Sequence, residues 1–514
     1  MKDARGQVSP CSINVSGGNC CLSKRRIEMK STVFMAGFLV YILAMIWLGW
    51  FVSRKQKSGE DFLLGGRSFP FFLTLGTTVA TMVGTGSSMG AVGFAYSNGW
   101  AGALYGLGGA VGILLLAWWF APMREHRFMT MSEELSYYVG ANRLVKNISG
   151  VLMLIASIGW LGAHMLGGGM YLAWMAKIDL ATAKWIVALG FAIYVVIGGY
   201  TAVVWTDTVQ AVILFIGFIL IAAISVYQIG GLSHIYDAMD PASVTLLGIG
   251  KLGGVHALSL AVVVAVGVLA TPSYRQRIYA GKSVSSVRRS FVVTGVLYLF
   301  FSALPALIGM AAHSMDPNLE NASFAFPYLA SEVLPMAIGM IVLIAGLSAT
   351  LSSASSDAVA GVSILLRDIY LMCSGRMPDR DKVLTYSRVA LVAVIGLALL
   401  LALLSNDIIS YITKMIATVM SGLFVCGLLG RFWPRFNWQG ALAALAGGSL
   451  MSITVMVVEG WTQYWSNPII PAVASALLAG VVVSLVTPAC PISPREALAH
   501  LDQEREQMEA LKTS

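Results

Sequence analysis

Residues 347–357 read LSATLSSASSD, from Leu347 to Asp357, inside an otherwise apolar run from Ile338 to Leu366. That run is long enough to cross a bilayer, for which about 20 residues suffice at ~1.5 Å rise each. In a helix Ser352, Ser355 and Ser356 fall at i, i+3 and i+4 and share one face, with Ser353 and Asp357 along its edge. Small residues let membrane helices approach closely, and hydroxyls bond back to their own backbone, so packing alone accounts for the serines. It does not account for Asp357: a carboxylate at mid-membrane costs roughly 2.5–3.5 kcal/mol or more and marks an ion or substrate path. Hydroxyls beside a carboxylate offer hard oxygen ligands to a small dehydrated cation, so the stretch reads as the core of a transport site.

The rest of the composition agrees with a membrane setting. Of 514 residues 57% are hydrophobic and 11% charged, against about 25% charged in soluble domains, and the mean hydropathy is +0.77. The net charge of +8 does not indicate nucleic-acid binding, because most Lys and Arg residues lie in short loops between apolar runs, where they set orientation. The six cysteines and six histidines show no metal-ligand spacing and no disulfide framework. No phosphate-binding glycine loop, zinc motif or nucleophile elbow is present, which argues against an enzyme. No organic cofactor and no obligatory protein partner is implied. The expected partners are a small-molecule substrate, a coupling ion and the lipid bilayer.

Apolar runs predict an all-α polytopic protein of about thirteen spans, near 33–52, 70–98, 101–121, 146–176, 181–201, 205–227, 255–274, 288–313, 335–366, 384–405, 408–430, 437–458 and 467–487. This divides the chain into an extension at 1–30, a transporter domain at 31–490 and a tail at 491–514. Alternate loops are rich in Lys and Arg, whereas the opposite ones carry only Lys177, Lys184 and Lys251. The basic side is the cytoplasmic one, which puts the carboxyl terminus inside and the amino terminus outside a plasma or inner membrane. Residues 1–30 oppose this with Lys2, Arg5, Lys24, Arg25, Arg26 and Lys30. A start at Met29 would remove five of the six; a disordered external tail is the alternative. Met129–Tyr138, with Ser132-Glu133-Glu134 at its start, reads as a helix lying on the cytoplasmic surface.

Two spans are irregular. The second holds Gly84, Gly86, Gly90 and Gly93 at its centre, and the seventh is interrupted by Gly267 and Pro272. Both residue types weaken a helix and free backbone groups, tolerated at membrane depth only where protein or a watery cavity satisfies them. They open two five-helix sets, spans 2–6 and 7–11, and paired broken helices of this kind point to an inverted repeat with a midplane binding site.

Gly198–Gln210, GGYTAVVWTDTVQ, resembles the signature of the sodium:solute symporter family. The serine-rich span ending in Arg367-Asp368-Ile369-Tyr370, the Gln276-Arg277-Ile278-Tyr279-Ala280 close of span seven, and FLLGGRS before the first broken helix are similar to that family's other marks. The resemblance covers about residues 33–490 and implies a LeuT-type 5+5 inverted-repeat core, with alternating access driven by sodium. It implies a main sodium site from the carbonyls of Ala80, Val83 and Ala349 and the hydroxyls of Ser352 and Ser353, and a second from Asp207, Ser352, Ser355 and Ser356. Substrate candidates are Thr85, Ser87, Ser88, Trp160, His164 and Lys414. His164 stands where the family often has glutamine, and Lys414 lies near its external gate; a carboxylate-bearing solute is therefore favoured. Asp357 has no familiar counterpart and would pair with Lys414 or His164. Proton coupling through Asp207, Asp357 and His164 is the alternative coupling, and a substrate-gated sensor or channel the alternative class. For Asp207 a plain role as a helix cap is also open.

Overall fold

A computed structural model describes residues 17–54, 64–375 and 382–510. Among them the regular structure is helical throughout, apart from one isolated bridge between Phe69 and Gly281. Residues 1–16, half of the expected extension, and most of the basic loop at 55–63 lie outside the described residues. Among the described residues ten helices are long and apolar enough to span a membrane, eleven if the bent pair Gly254–Ala270 and Pro272–Ala280 is one span. The count of thirteen is not reproduced. Its two missing spans are the second, whose first half is only Phe71–Met82, and the fifth, whose apolar part Leu180–Ile193 is short.

The interruptions explain both. The second span leaves helical geometry at Val83 (φ −90°, ψ 63°) and resumes through Gly86–Gly90 into Ala91–Asn98, within the glycine cluster. The signature segment is one helical run, Leu180–Ile229, broken at Gly199, where φ 59° and ψ −168° are accessible to glycine alone. The break therefore lies at Gly199 and not at a hairpin at 202–204, and Asp207 sits two turns inside the following helix. A carboxylate in that place is no N-cap. In the seventh span Gly267 stays helical and packs against Ile416, while the chain bends by 43° between Ala270 and Pro272.

The serine helix, Met336–Ile364, packs on Leu180–Ile229, on Arg143–Ala176 and on Phe71–Met82. Every residue from Leu347 to Ile364 is buried. A span enclosed by neighbours has no lipid-facing side, which is how its hydroxyls and carboxylate are held away from hydrocarbon.

The short helix Met131–Tyr137 differs from its expected surface position. Glu133 and Glu134 are 5% and 0% exposed, because each meets a cation on another element. Arg275 reaches Glu134 at 3.2 Å, and Tyr279 and Tyr138 donate to the same carboxylate. Arg505 of the C-terminal helix Pro494–Ala510 reaches Glu133 at 2.8 Å, and Lys146 meets Glu504 at 2.8 Å.

Lys184 is likewise not a loop charge. Its ammonium is buried and lies 2.9 Å from the carbonyls of Ala402 and Ser405 and 3.3 Å from Asn406 Oδ1. It thereby closes the carbonyl end of Val383–Leu403, where the last helical acceptors lack intrahelical donors. Lys184→Met keeps the stem and removes the donors; it is expected to destabilise the protein by about 1–3 kcal/mol, read as a lower midpoint of thermal unfolding in detergent.

Candidate ion and substrate site

Where the second span breaks, the serine helix faces it with hydroxyls. Ser352 Oγ lies 3.0 Å from the Ala80 carbonyl and 3.2 Å from that of Ala349. Ser353 Oγ has the carbonyls of Thr81, Ala349 and Ala80 at 3.2, 3.3 and 3.4 Å. Two hydroxyl protons thus serve five approaches, leaving the cluster rich in lone pairs and poor in donors. Such a cluster carries negative potential without net charge, which suits a monovalent cation stripped of water. Val83, the remaining expected ligand, is buried at the break with its N–H bonded back to Val79. The two serine hydroxyls do not engage its carbonyl.

One turn along the serine helix the second expected oxygen set gathers in part. Thr77 and Ser356 donate to Asp207 Oδ2 at 2.7 and 3.1 Å, and Ser355 approaches Oδ1 at 3.5 Å. Ser352 is turned away to Ala80. The positive charge in this set is the guanidinium of Arg277. Its Nη2 lies 2.7 Å from Ser356 Oγ, 2.8 Å from Thr77 Oγ1, 3.2 Å from the Thr77 carbonyl and 3.4 Å from Asp207 Oδ2, and it also donates to Thr81 Oγ1. Arg277 is 1% exposed. The sequence marks it as part of a motif, but its place in the chain reads as a loop charge; only the turn of Pro272–Ala280 back into the bundle brings it to Asp207. Thr77 and Thr81 were equally unforeseen, as threonines on an apolar helix carry no signal of their own. Thr81 joins the two clusters, since its carbonyl meets Ser353 and its hydroxyl meets Ser356.

Beside the break lies a cavity bordered by Gly84, Ser87, Trp160, His164, Ser273, Ser353 and Asp357 together with Tyr105, Tyr274 and Tyr298. His164 and Asp357 are paired, Nε2 to Oδ2 at 3.1 Å, and His164 Nδ1 meets Thr85 Oγ1 at 3.0 Å. Trp160 stacks on His164 with ring centroids 6.3 Å apart. Of the substrate candidates, Ser87, Trp160 and His164 border this cavity and Thr85 contacts it through His164. Ser88 is folded back on the Thr85 carbonyl. Lys414 is not there: it is exposed and borders a separate cavity with Asp407 and His256, so the partner of Asp357 is His164.

A buried helical bundle with a broken span, an oxygen cluster at the break and a cavity beside it is the arrangement of an ion-coupled secondary transporter. The chain belongs to the sodium:solute symporter family, which it matches over residues 62–448. It is 25% identical over 464 residues to the sodium/pantothenate symporter of Haemophilus influenzae, covering 86% of this chain and 94% of that one. It is 26% identical over 467 residues to the high-affinity proline transporter PutP of Bacillus subtilis, covering 87% and 96%. A solved Na+-coupled sialic acid symporter in an outward-open state superimposes with a TM-score of 0.74 at 21% identity, over 90% of this chain and 99% of that one. MhsT in complex with L-phenylalanine does so with a TM-score of 0.54 at 13% identity, over 81% and 97%, which places the chain in the LeuT-type fold. The protein is a multi-pass membrane symporter of that family.

Arg277 and Asp207 give a direct test of their pairing. Arg277→Met leaves a buried carboxylate uncompensated and should cost about 3–5 kcal/mol, whereas Arg277→Met combined with Asp207→Asn should recover most of it. Thermal unfolding of the two single variants and the double variant measures the coupling; additive losses would mean that the pair does not act as a unit.

Proposed function

We propose that the protein carries a small carboxylate-bearing organic solute together with sodium by alternating access, the ion sitting among Ala80, Val83, Ala349, Ser352 and Ser353. The observation that carries this reading is the proton-poor oxygen cluster at the helix break, opening through Ser353 onto the cavity. An ion there and a solute in the cavity would share one wall, so each would favour the closed arrangement that the other needs. The carboxylate is supported by two buried donors at the cavity wall that lack any protein partner, Trp160 Nε1 and Ser273 Oγ. His164 lends less support than its place in the sequence suggests, because both of its ring nitrogens are engaged. Among relatives named for their solutes, pantothenate and proline are carboxylates and the glucose of a Vibrio parahaemolyticus cotransporter is not.

In this reading Arg277 supplies the positive charge at Asp207, so one sodium moves with each solute. A second ion among Asp207, Ser355 and Ser356 would require Arg277 to swing out first. The domain limits at 31–490 and 491–514 and a cytoplasmic carboxyl terminus in a plasma or inner membrane belong to the same proposal. With Arg275 and Arg277 now buried, the basic loops still hold Arg124, Arg127, Lys282, Arg288 and Arg289 against Lys177 and Lys251 opposite.

Proteoliposomes with imposed gradients test the coupling. A sodium gradient should drive uptake from a panel of amino acids, monocarboxylates, sugars and sialic acid, and a proton gradient without sodium should not; the reverse would overturn sodium as the ion. Ser352→Ala with Ser353→Ala should raise the sodium concentration for half-maximal uptake at least about tenfold, as each lost partner costs about 1–3 kcal/mol. An unchanged sodium dependence would remove those hydroxyls from the ion site. For orientation, a cysteine replacing Asn318 should react only with reagent added outside cells and one replacing Asp502 only from within; the opposite pattern would invert the topology.

A further inference from the structure

Asp357 is the buried acid that neither oxygen cluster uses. It is 3% exposed, borders the cavity, and is held through one oxygen only, Oδ2, by His164. Among the described residues no donor approaches Oδ1. Behind the pair His164 Nδ1 meets Thr85 Oγ1 at 3.0 Å, and Thr85 lies 3.3 Å from Thr350 Oγ1. Both ring nitrogens of His164 are thus engaged, and Asp357 borders the cavity with Oδ1 unclaimed by them. A carboxylate oxygen without a protein donor is an open acceptor on the cavity wall, and a ligand that supplies the donor satisfies it.

The cavity wall is therefore bipolar: Trp160 Nε1 and Ser273 Oγ offer unused protons, and Asp357 Oδ1 offers an unused acceptor. A solute with a carboxylate alone would satisfy the first pair and leave Oδ1 bare or facing like charge. We propose that Asp357 Oδ1 receives a protonated nitrogen of the substrate, so that the cavity selects small zwitterions, amino or imino acids, over simple carboxylates and sugars. This rests on the carboxylate reading above and narrows it.

The test is sodium-dependent binding to the purified protein, read as thermal stabilisation, with three matched probes: L-proline or another common amino acid, its analogue lacking the nitrogen, and its N,N-dimethyl betaine. The first should stabilise the protein at concentrations at least about tenfold below the other two, since one lacks the charge and the other lacks an N–H. Asp357→Asn should weaken binding of the amino acid by a similar factor and leave the analogue lacking nitrogen bound as before. Stabilisation of that variant by sodium alone shows that it is folded; if it is not, the three-probe ranking on the natural protein decides. Equal ranking, or unchanged amino-acid binding in Asp357→Asn, overturns the proposal and leaves Asp357 as the partner of His164 only. Should no amino acid bind while sodium drives uptake of a simple carboxylate, the zwitterion subsite fails and the sodium-coupled reading stands. Uptake that ignores sodium fails the latter instead.

Discussion

Three helices meet at the guanidinium of Arg277, and the interior of the bundle depends on that contact. Thr77 and Thr81 come from the broken span, Asp207 from the signature helix and Ser356 from the serine helix, all around one nitrogen. Removing a carboxylate and a guanidinium from water costs several kcal/mol per ion, so the pair is worth keeping only with its remaining protons and lone pairs satisfied. The two threonines and the serine do that. They also fix the height of the serine helix against the break, which determines whether Ser352 and Ser353 meet the Ala80 carbonyl or miss it. The geometry of the neutral oxygen cluster is thus a consequence of the charged one.

The division of labour between the two clusters follows from chemistry. A hydroxyl–carbonyl site holds a cation by dipoles alone and releases it without separating opposite charges. A carboxylate site binds harder and, in the low dielectric of the bundle, lets go less readily. In the reading proposed above, a tethered cation at the carboxylate keeps that strong site filled, and the exchangeable ion would meet the weaker one. Thr81 spans both, with its carbonyl in one and its hydroxyl in the other, so a change at either is felt within one residue.

Much of this was legible in the sequence because it depends on local pattern. Apolar runs located most of the spans, the glycine cluster and Pro272 marked two of the breaks, and the family resemblance set Ser352 and Ser353 against the first of them. What escaped depends on contacts between residues far apart in sequence. His164 and Asp357 are 193 positions apart and Arg277 is 70 from Asp207; nothing in either neighbourhood names the partner. Arg275 and Arg277 look like loop charges because a window of hydropathy cannot distinguish a loop from a short helix that turns inward, and Lys184 does because it lies near the start of Leu180–Ile229, beside a loop. Asp207 reads as a cap for a similar reason: the break lies at Gly199, eight residues before it, and not in the hairpin expected at 202–204. Lys414 failed differently, since a long side chain one turn inside a helix can leave the membrane by its own length.

Glu133 and Glu134 are neighbours in the chain but serve different bodies. Glu134 is bound to Arg275 and Tyr279 of the helix that also carries Arg277, and Glu133 to Arg505 of the C-terminal helix. Parting a fully buried ion pair is expensive, so in the alternating-access reading Met131–Tyr137 and Pro272–Ala280 would travel as one piece. The half-buried Arg505 contact, reachable by water, is the cheaper one to break. In that reading the seam on this face would run between the C-terminal helix and that piece, with Pro494–Ala510 as a latch on the door and not part of its frame.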